Sequence, residues 1–236
     1  MKKLTLALMG STLAVGLALA AGSAYAADLM APPPAEAAVV TTSGGGYISV
    51  FGGYALATTL SGVSTQSTFN LSVPLGSGYI VGGAVGTHLG DNLRIEGELS
   101  YVSHSATGTI FASGNGAGTV TGNTGTAYLL GNLWADLNTG SGFTPYIGGG
   151  LGLAAIMPNM TIDSGGTYTT TAFAPAAQLG AGVKFSVGDN MSVDLGYRAK
   201  YVFNATIVGG GTPVASSITG ASYLDQSVQI GLNFGF

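Results

Sequence analysis

Charge is nearly missing from this sequence: six Lys and Arg and ten Asp and Glu make up 7% of 236 residues, against a usual share of about 25%. A water-washed surface is hard to build from so little. Cysteine is absent, which fits an oxidising compartment without requiring one. Also missing, after residue 26, is any apolar run near the roughly 18 residues of a spanning helix. Yet the mean hydropathy is +0.45 and glycine occurs 41 times, so the apolar character is dispersed. In lipid every backbone polar group must be paired internally, which leaves helices or closed barrels, and dispersed hydrophobicity selects the barrel.

The N-terminus reads as an export signal. Lys2 and Lys3 form a basic n-region, Leu4 to Ala21 an apolar stretch interrupted by Gly10, Ser11 and Gly16, and Ala24, Tyr25 and Ala26 a small-residue cleavage site. Cleavage between Ala26 and Ala27 is expected. It would leave four basic and ten acidic side chains, a net charge of −6, and no basic patch for nucleic acid. Residues 27–45 are rich in Pro, Ala and small polar residues and read as a periplasmic lead-in.

From Gly46 to Phe236 apolar segments alternate with two kinds of connector. Three are short and built from tight-turn residues: Gly90 to Asn92, Asn138 to Gly142 and Gly188 to Asn190. Four are long, at 57–76, 105–125, 157–171 and 204–222. Long and short alternate strictly, separating eight predicted strands near 46–56, 77–89, 93–104, 126–137, 143–156, 172–187, 191–203 and 223–236. That order is the plan of an all-β, eight-stranded antiparallel transmembrane barrel with short periplasmic turns and long external loops.

Period-two alternation tests each strand for a lipid face and an interior face. In the third, Leu93, Ile95, Leu99 and Tyr101 oppose Arg94, Glu96, Glu98 and Ser100; in the seventh, Val193, Leu195, Tyr197 and Tyr201 oppose Ser192, Asp194, Arg198 and Lys200; in the eighth, Val228, Ile230, Leu232, Phe234 and Phe236 oppose Asp225, Ser227, Gln229 and Asn233. The fourth, with Asn132, Trp134 and Asp136 inside, and the sixth, with Gln178 and Lys184 inside, follow more loosely. The first, second and fifth are too rich in glycine to show a face. On the outward faces, Tyr54, Tyr79, Tyr101, Phe173, Tyr201 and Phe203 fall toward the loop end and Phe143, Phe185, Phe234 and Phe236 toward the turn end, two aromatic bands as membrane barrels carry. A soluble sandwich has no reason to place aromatics in two bands.

The stretches Phe143 to Gly152, Gln178 to Phe185 and Arg94 to Tyr101 resemble the small outer-membrane β-barrel family of Gram-negative bacteria, which includes OmpA-type, opacity-type and porin-like surface antigens. The resemblance covers 46–236. It implies residence in the cell outer membrane, contact with outer-membrane lipid, and recognition of the terminal Phe236, with Phe234 before it, by the barrel-assembly machinery. The OmpA pattern's second, peptidoglycan-binding domain is not seen after the barrel.

The predicted interior holds nine charges: Arg94, Lys184, Arg198 and Lys200 against Glu96, Glu98, Asp136, Asp194 and Asp225. Buried charges must be paired and hydrogen-bonded, so the expected role is a network that fills a narrow bore; a gate or ion path is the alternative, since charged rings also select ions in pores. Interior glycines, including Gly148, Gly150, Gly152, Gly180, Gly182, Gly196 and Gly231, are expected to make room for bulky neighbours and to leave gaps for water. Glu96 with Glu98, and His104 with Ser100 and Glu98, are imaginable catalytic sets, but neither sits in a matching motif. His88 and His104 are expected as interfacial polar residues rather than metal ligands. The Gly148 to Gly152 run is no nucleotide loop, because no helix and no Lys-Ser/Thr follow. The expectation is therefore a non-enzymatic, monomeric envelope protein without cofactor or metal, displaying neutral Ser/Thr/Gly loops; a small porin-like channel, or an adhesin binding a surface or host ligand, are the alternatives.

Overall fold

The computed structural model describes residues 45–64, 70–112, 115–163, 166–209 and 217–236. The signal segment 1–26, its cleavage site at Ala26 and Ala27, and the lead-in up to residue 44 lie outside the described residues. Twelve strands follow one another: β1 (Gly46–Ala55), β2 (Thr58–Ser64), β3 (Asn70–Leu75), β4 (Gly78–His88), β5 (Leu93–Ser105), β6 (Gly108–Ala112), β7 (Asn115–Asp136), β8 (Phe143–Ile162), β9 (Gly166–Tyr168), β10 (Ala172–Ser186), β11 (Met191–Val208) and β12 (Ser217–Gly235).

Eight of them form a ring. β1 pairs with β4, β4 with β5, β5 with β7, β7 with β8, β8 with β10, β10 with β11, β11 with β12, and β12 with β1, every pairing antiparallel. Closure satisfies the backbone of the spanning segments and abolishes the sheet edges. The register fixes the stagger. From Phe234 the partners run through Ile48, Val85, Gly97, Gly131, Leu151, Ala177 and Tyr201 back to Leu224 on β12, ten positions from the start. Eight strands with that shear tilt by roughly 40–45° and leave a bore about wide enough for side chains.

The outer face is apolar. Leu99, Leu129, Leu151 and Leu179 are 61–73% exposed, in positions that in water would cost stability and in hydrocarbon cost none. The aromatics fall on this face as expected, with Tyr79 and Tyr101 (ring centroids 6.4 Å apart) and Tyr201 and Phe203 (4.7 Å) adjacent in the loop-end band. At the opposite end the three short turns join β4 to β5, β7 to β8 and β10 to β11, with Gly90 and Gly140 in left-handed conformations (φ +75° and +70°) that a side chain would strain.

The long connectors differ from expectation: they are largely strand. β2 and β3 pair with each other, β3 with β6, β6 with β7, β8 with β9, and β2 with β12, so the sheet continues past the loop-end aromatics as an outer storey. Its interior is apolar. Leu60, Val73, Leu75, Val120, Ile156, Met160, Ile207 and Ile218 are at most 2% exposed, and burial of such side chains is worth roughly 1.5–3 kcal/mol each. This hydrophobic drive, supplied by alternating residues such as Leu71, Val73 and Leu75, overrides the loop character that the Ser, Thr and Gly content conveys.

Candidate functional site

Inward positions alternate along every strand of the ring, and they bring residues from all parts of the chain together. The glycine-rich strands take their faces from this register: Tyr47 and Ser49 of β1, Ile80 of β4 and Tyr146 of β8 are buried, while Ile48, Val50, Tyr79, Val81 and Ile147 face outward. All nine predicted charges face the interior, from the turn end up to the level of Asp225. Arg94, Glu98, Asp136, Lys200 and Asp225 are buried, and Glu96, Lys184, Asp194 and Arg198 are half-buried.

Three groups satisfy seven of them, and Tyr146 OH, which donates to Asp194 at 2.8 Å and accepts from Arg198 at 2.9 Å, joins the other two. Nearest the turns, Arg94 grips Asp136 with two hydrogen bonds, Nε to Oδ2 at 2.8 Å and Nη2 to Oδ1 at 3.1 Å, and Lys184 Nζ donates to the same carboxylate at 2.9 Å. The two-pronged guanidinium contact is a strong form of ion pair. In the middle, Glu98 accepts from Lys200, from Ser100 Oγ (2.7 Å), from Gln178 Nε2 (2.7 Å) and from Asn132 Nδ2 (3.0 Å). Glu96 accepts from Tyr47 OH (2.9 Å), Asn132 (3.1 Å) and the Trp134 indole (3.2 Å). Toward the loops, Asp225 accepts from Tyr128 OH and lies 2.8 Å from His104 Nε2. Among the described residues Gln178 Oε1 is the one buried side-chain polar atom without a partner.

Aromatic rings fill the space between the charges. The Arg198 guanidinium lies 4.3 Å from the Trp134 ring centroid and 5.2 Å from that of Tyr146; Arg94 lies 5.3 Å from the same Tyr146. The interior glycines admit these groups: an added Cβ would meet Trp134 Cε3 at 2.6 Å from Gly148, Arg198 Cδ at 2.6 Å from Gly180, and Tyr146 OH at 2.4 Å from Gly182. At these positions glycine makes room for a large side chain, as the sequence reading expects, and the gap it also expects lies at Gly231. A small enclosed cavity of about 30 Å³ remains between Ser49, Phe51, Glu96, Asp194, Arg198 and Gln229, room for one or two waters. A much larger depression, about 1160 Å³, lies on the outward wall between Val85, Gly97, Gly131 and Leu151, where it faces the membrane.

Glu96 and Glu98 do come together, sharing the Asn132 amide, but His104, Ser100 and Glu98 do not assemble as a catalytic set. Ser100 Oγ donates to Glu98 and accepts from Lys200 Nζ at 2.7 Å, whereas His104 contacts Gly76 and Asp225. His104 is also misplaced by the sequence reading: it is an interior residue, 2% exposed, while His88 is half-buried near the turns with its ring centroid 5.6 Å from that of Tyr47. Parity along β5 from Arg94 already put position 104 on the inner face. No cluster of three or more potential metal ligands occurs among the described residues.

Residues 13–236 match the family model for the outer membrane protein beta-barrel domain. The chain belongs to this outer-membrane β-barrel family. Its place is accordingly the outer membrane. Solved structures similar to this barrel include Neisserial surface protein A (17% identity, 81% of this chain and 97% of that one, TM-score 0.45), the outer membrane protein OprG from Pseudomonas aeruginosa (17%, 81% and 96%, 0.45) and the outer membrane protease OmpT from Escherichia coli (11%, 83% and 98%, 0.50). At such identities the likeness is one of fold alone. No curated protein matches the chain by sequence.

Proposed function

We propose that this barrel is a non-enzymatic, monomeric structural element of the outer membrane whose outer storey is displayed at the cell surface, and that its interior does not conduct. The observation that carries this reading is the filling of the bore in two layers. A hydrogen-bonded charge network with a cavity of about 30 Å³ lies under an apolar core of residues at most 8% exposed, Leu60, Val73, Ile156 and Ile218 among them. Ions cross neither a paired polar network nor a dry apolar layer without a continuous water column. Contacts with a surface or host ligand would then be made by the outer storey from neutral groups, since its charged side chain Asp163 is itself engaged by Thr119.

The test is single-channel recording from the purified protein in planar bilayers. Rare openings of small conductance are expected. Steady, large conductance from the unmodified protein would overturn the structural reading and promote the porin-like one.

A further inference from the structure

The outer storey meets the membrane barrel at a belt of irregularity. Strands break at 56–57, 76–77 and 106–107, neighbouring positions on adjacent strands. Beside them the β11–β12 register slips between Val202 and Ala205, where Asn204 has φ +50°, and the β12–β2 register slips between Thr219 and Ser222, where Gly220 has φ +66°. The wall is locally disturbed on this side, as bulges and bends disturb a sheet, while the β7–β8 ladder runs on unshifted from Asp136 and Tyr146 to Val120 and Ile162. His104 of β5 sits beside the breaks, with Nδ1 2.8 Å from the Gly76 carbonyl oxygen in the β3–β4 break and Nε2 2.8 Å from Asp225 Oδ1 of β12, 121 positions away.

Both partners are acceptors. A carbonyl oxygen has no proton to give, so Nδ1 carries one. The proton between Nε2 and Asp225 belongs to the imidazole, which is the stronger base in water, and the other Asp225 oxygen accepts from the Tyr128 hydroxyl. We propose that His104 is held as an imidazolium and acts as a proton-dependent latch, tying the outer storey at Gly76 to the membrane barrel at Asp225. It then joins Arg94, Lys184, Arg198 and Lys200 as the fifth interior cation, balancing Glu96, Glu98, Asp136, Asp194 and Asp225.

A neutral imidazole has one N–H and must release either Gly76 or Asp225. The latch is therefore closed while His104 is protonated, and opens as the pH rises through its titration. The other titratable groups facing the pair are Tyr128 on β7, Tyr223 on β12 and Lys200 on β11; β3 and β4 contribute the Gly76 carbonyl.

The experiment uses the full-length barrel in lipid bicelles, and it stands apart from the question of conductance. Side-chain ¹H–¹⁵N spectra should show two N–H signals for His104 at neutral pH and one at alkaline pH. Over the same range proteinase K cleavage at the 56–57 and 76–77 breaks should accelerate roughly tenfold in the wild type, as a local opening equilibrium shifts. His104→Gln should be cleaved fast at both pH values, and His88→Gln should follow the wild type. A single N–H signal at neutral pH, or a His104→Gln profile that tracks the wild type, would overturn the latch; if that variant does not fold, the wild-type spectrum decides alone.

Discussion

Lys200 on β11 donates to Glu98 on β5 across the full width of the bore, 102 positions away in sequence. Both side chains are at most 3% exposed. Removing one partner strands the other as an uncompensated buried charge, which costs about 3–5 kcal/mol, whereas replacing both by apolar groups of similar size is often neutral. Lys200→Ala should therefore lower the stability of the refolded barrel by about that amount in urea titration, with more frequent small openings in planar bilayers as water enters beside Glu98. Lys200→Met with Glu98→Leu should recover most of the loss. A Lys200→Ala barrel as stable as the wild type would contradict the assignment of this pair as structural.

The last residue closes the ring. Phe236 N donates to Gly46 O at 2.9 Å, and the Phe236 ring lies over Gly46, where a Cβ would come within 2.8 Å of it. The same residue stands where the family resemblance implies the assembly signal. Deleting Phe236, or changing it to Asp, should reduce the outer-membrane level of the heat-modifiable, folded form by roughly tenfold, because a charge at the lipid face of the final strand is unfavourable and the signal is lost. Surface levels equal to the wild type would argue against both roles.

Export makes the third prediction. N-terminal sequencing of the protein purified from the outer membrane should begin at Ala27, as the Ala24 to Ala26 site specifies. Finding Met1 at the start of the membrane-resident form would refute cleavage.

Local periodicity made much of this molecule legible. Turn residues such as Gly90, Asp91 and Asn92 interrupt the alternating segments, and parity along β5, β11 and β12 sorts Arg94, Glu98, Lys200 and Asp225 inward because successive side chains on a strand point to opposite faces. The same parity placed His104 inside, although a lone polar residue near a strand end reads more readily as interfacial. In β1, β4 and β8 glycine has no side chain with which to mark a face, so nothing local distinguishes Gly148 from Gly149; only the register opposite Trp134 does.

The sequence by itself determined the class of structure: sparse charge, no spanning helix after residue 26 and strict alternation leave a lipid-embedded barrel, because in hydrocarbon the backbone must pair with itself. Tertiary structure alone decided which charges meet, and where the polar interior ends. Pairings such as Lys200 with Glu98 depend on the stagger accumulated over the whole ring, a quantity no local window contains. The apolar outer storey arises in the same way, since Leu60, Val120 and Ile218 lie in three separate connectors and become one core only when closure of the ring brings their strands together.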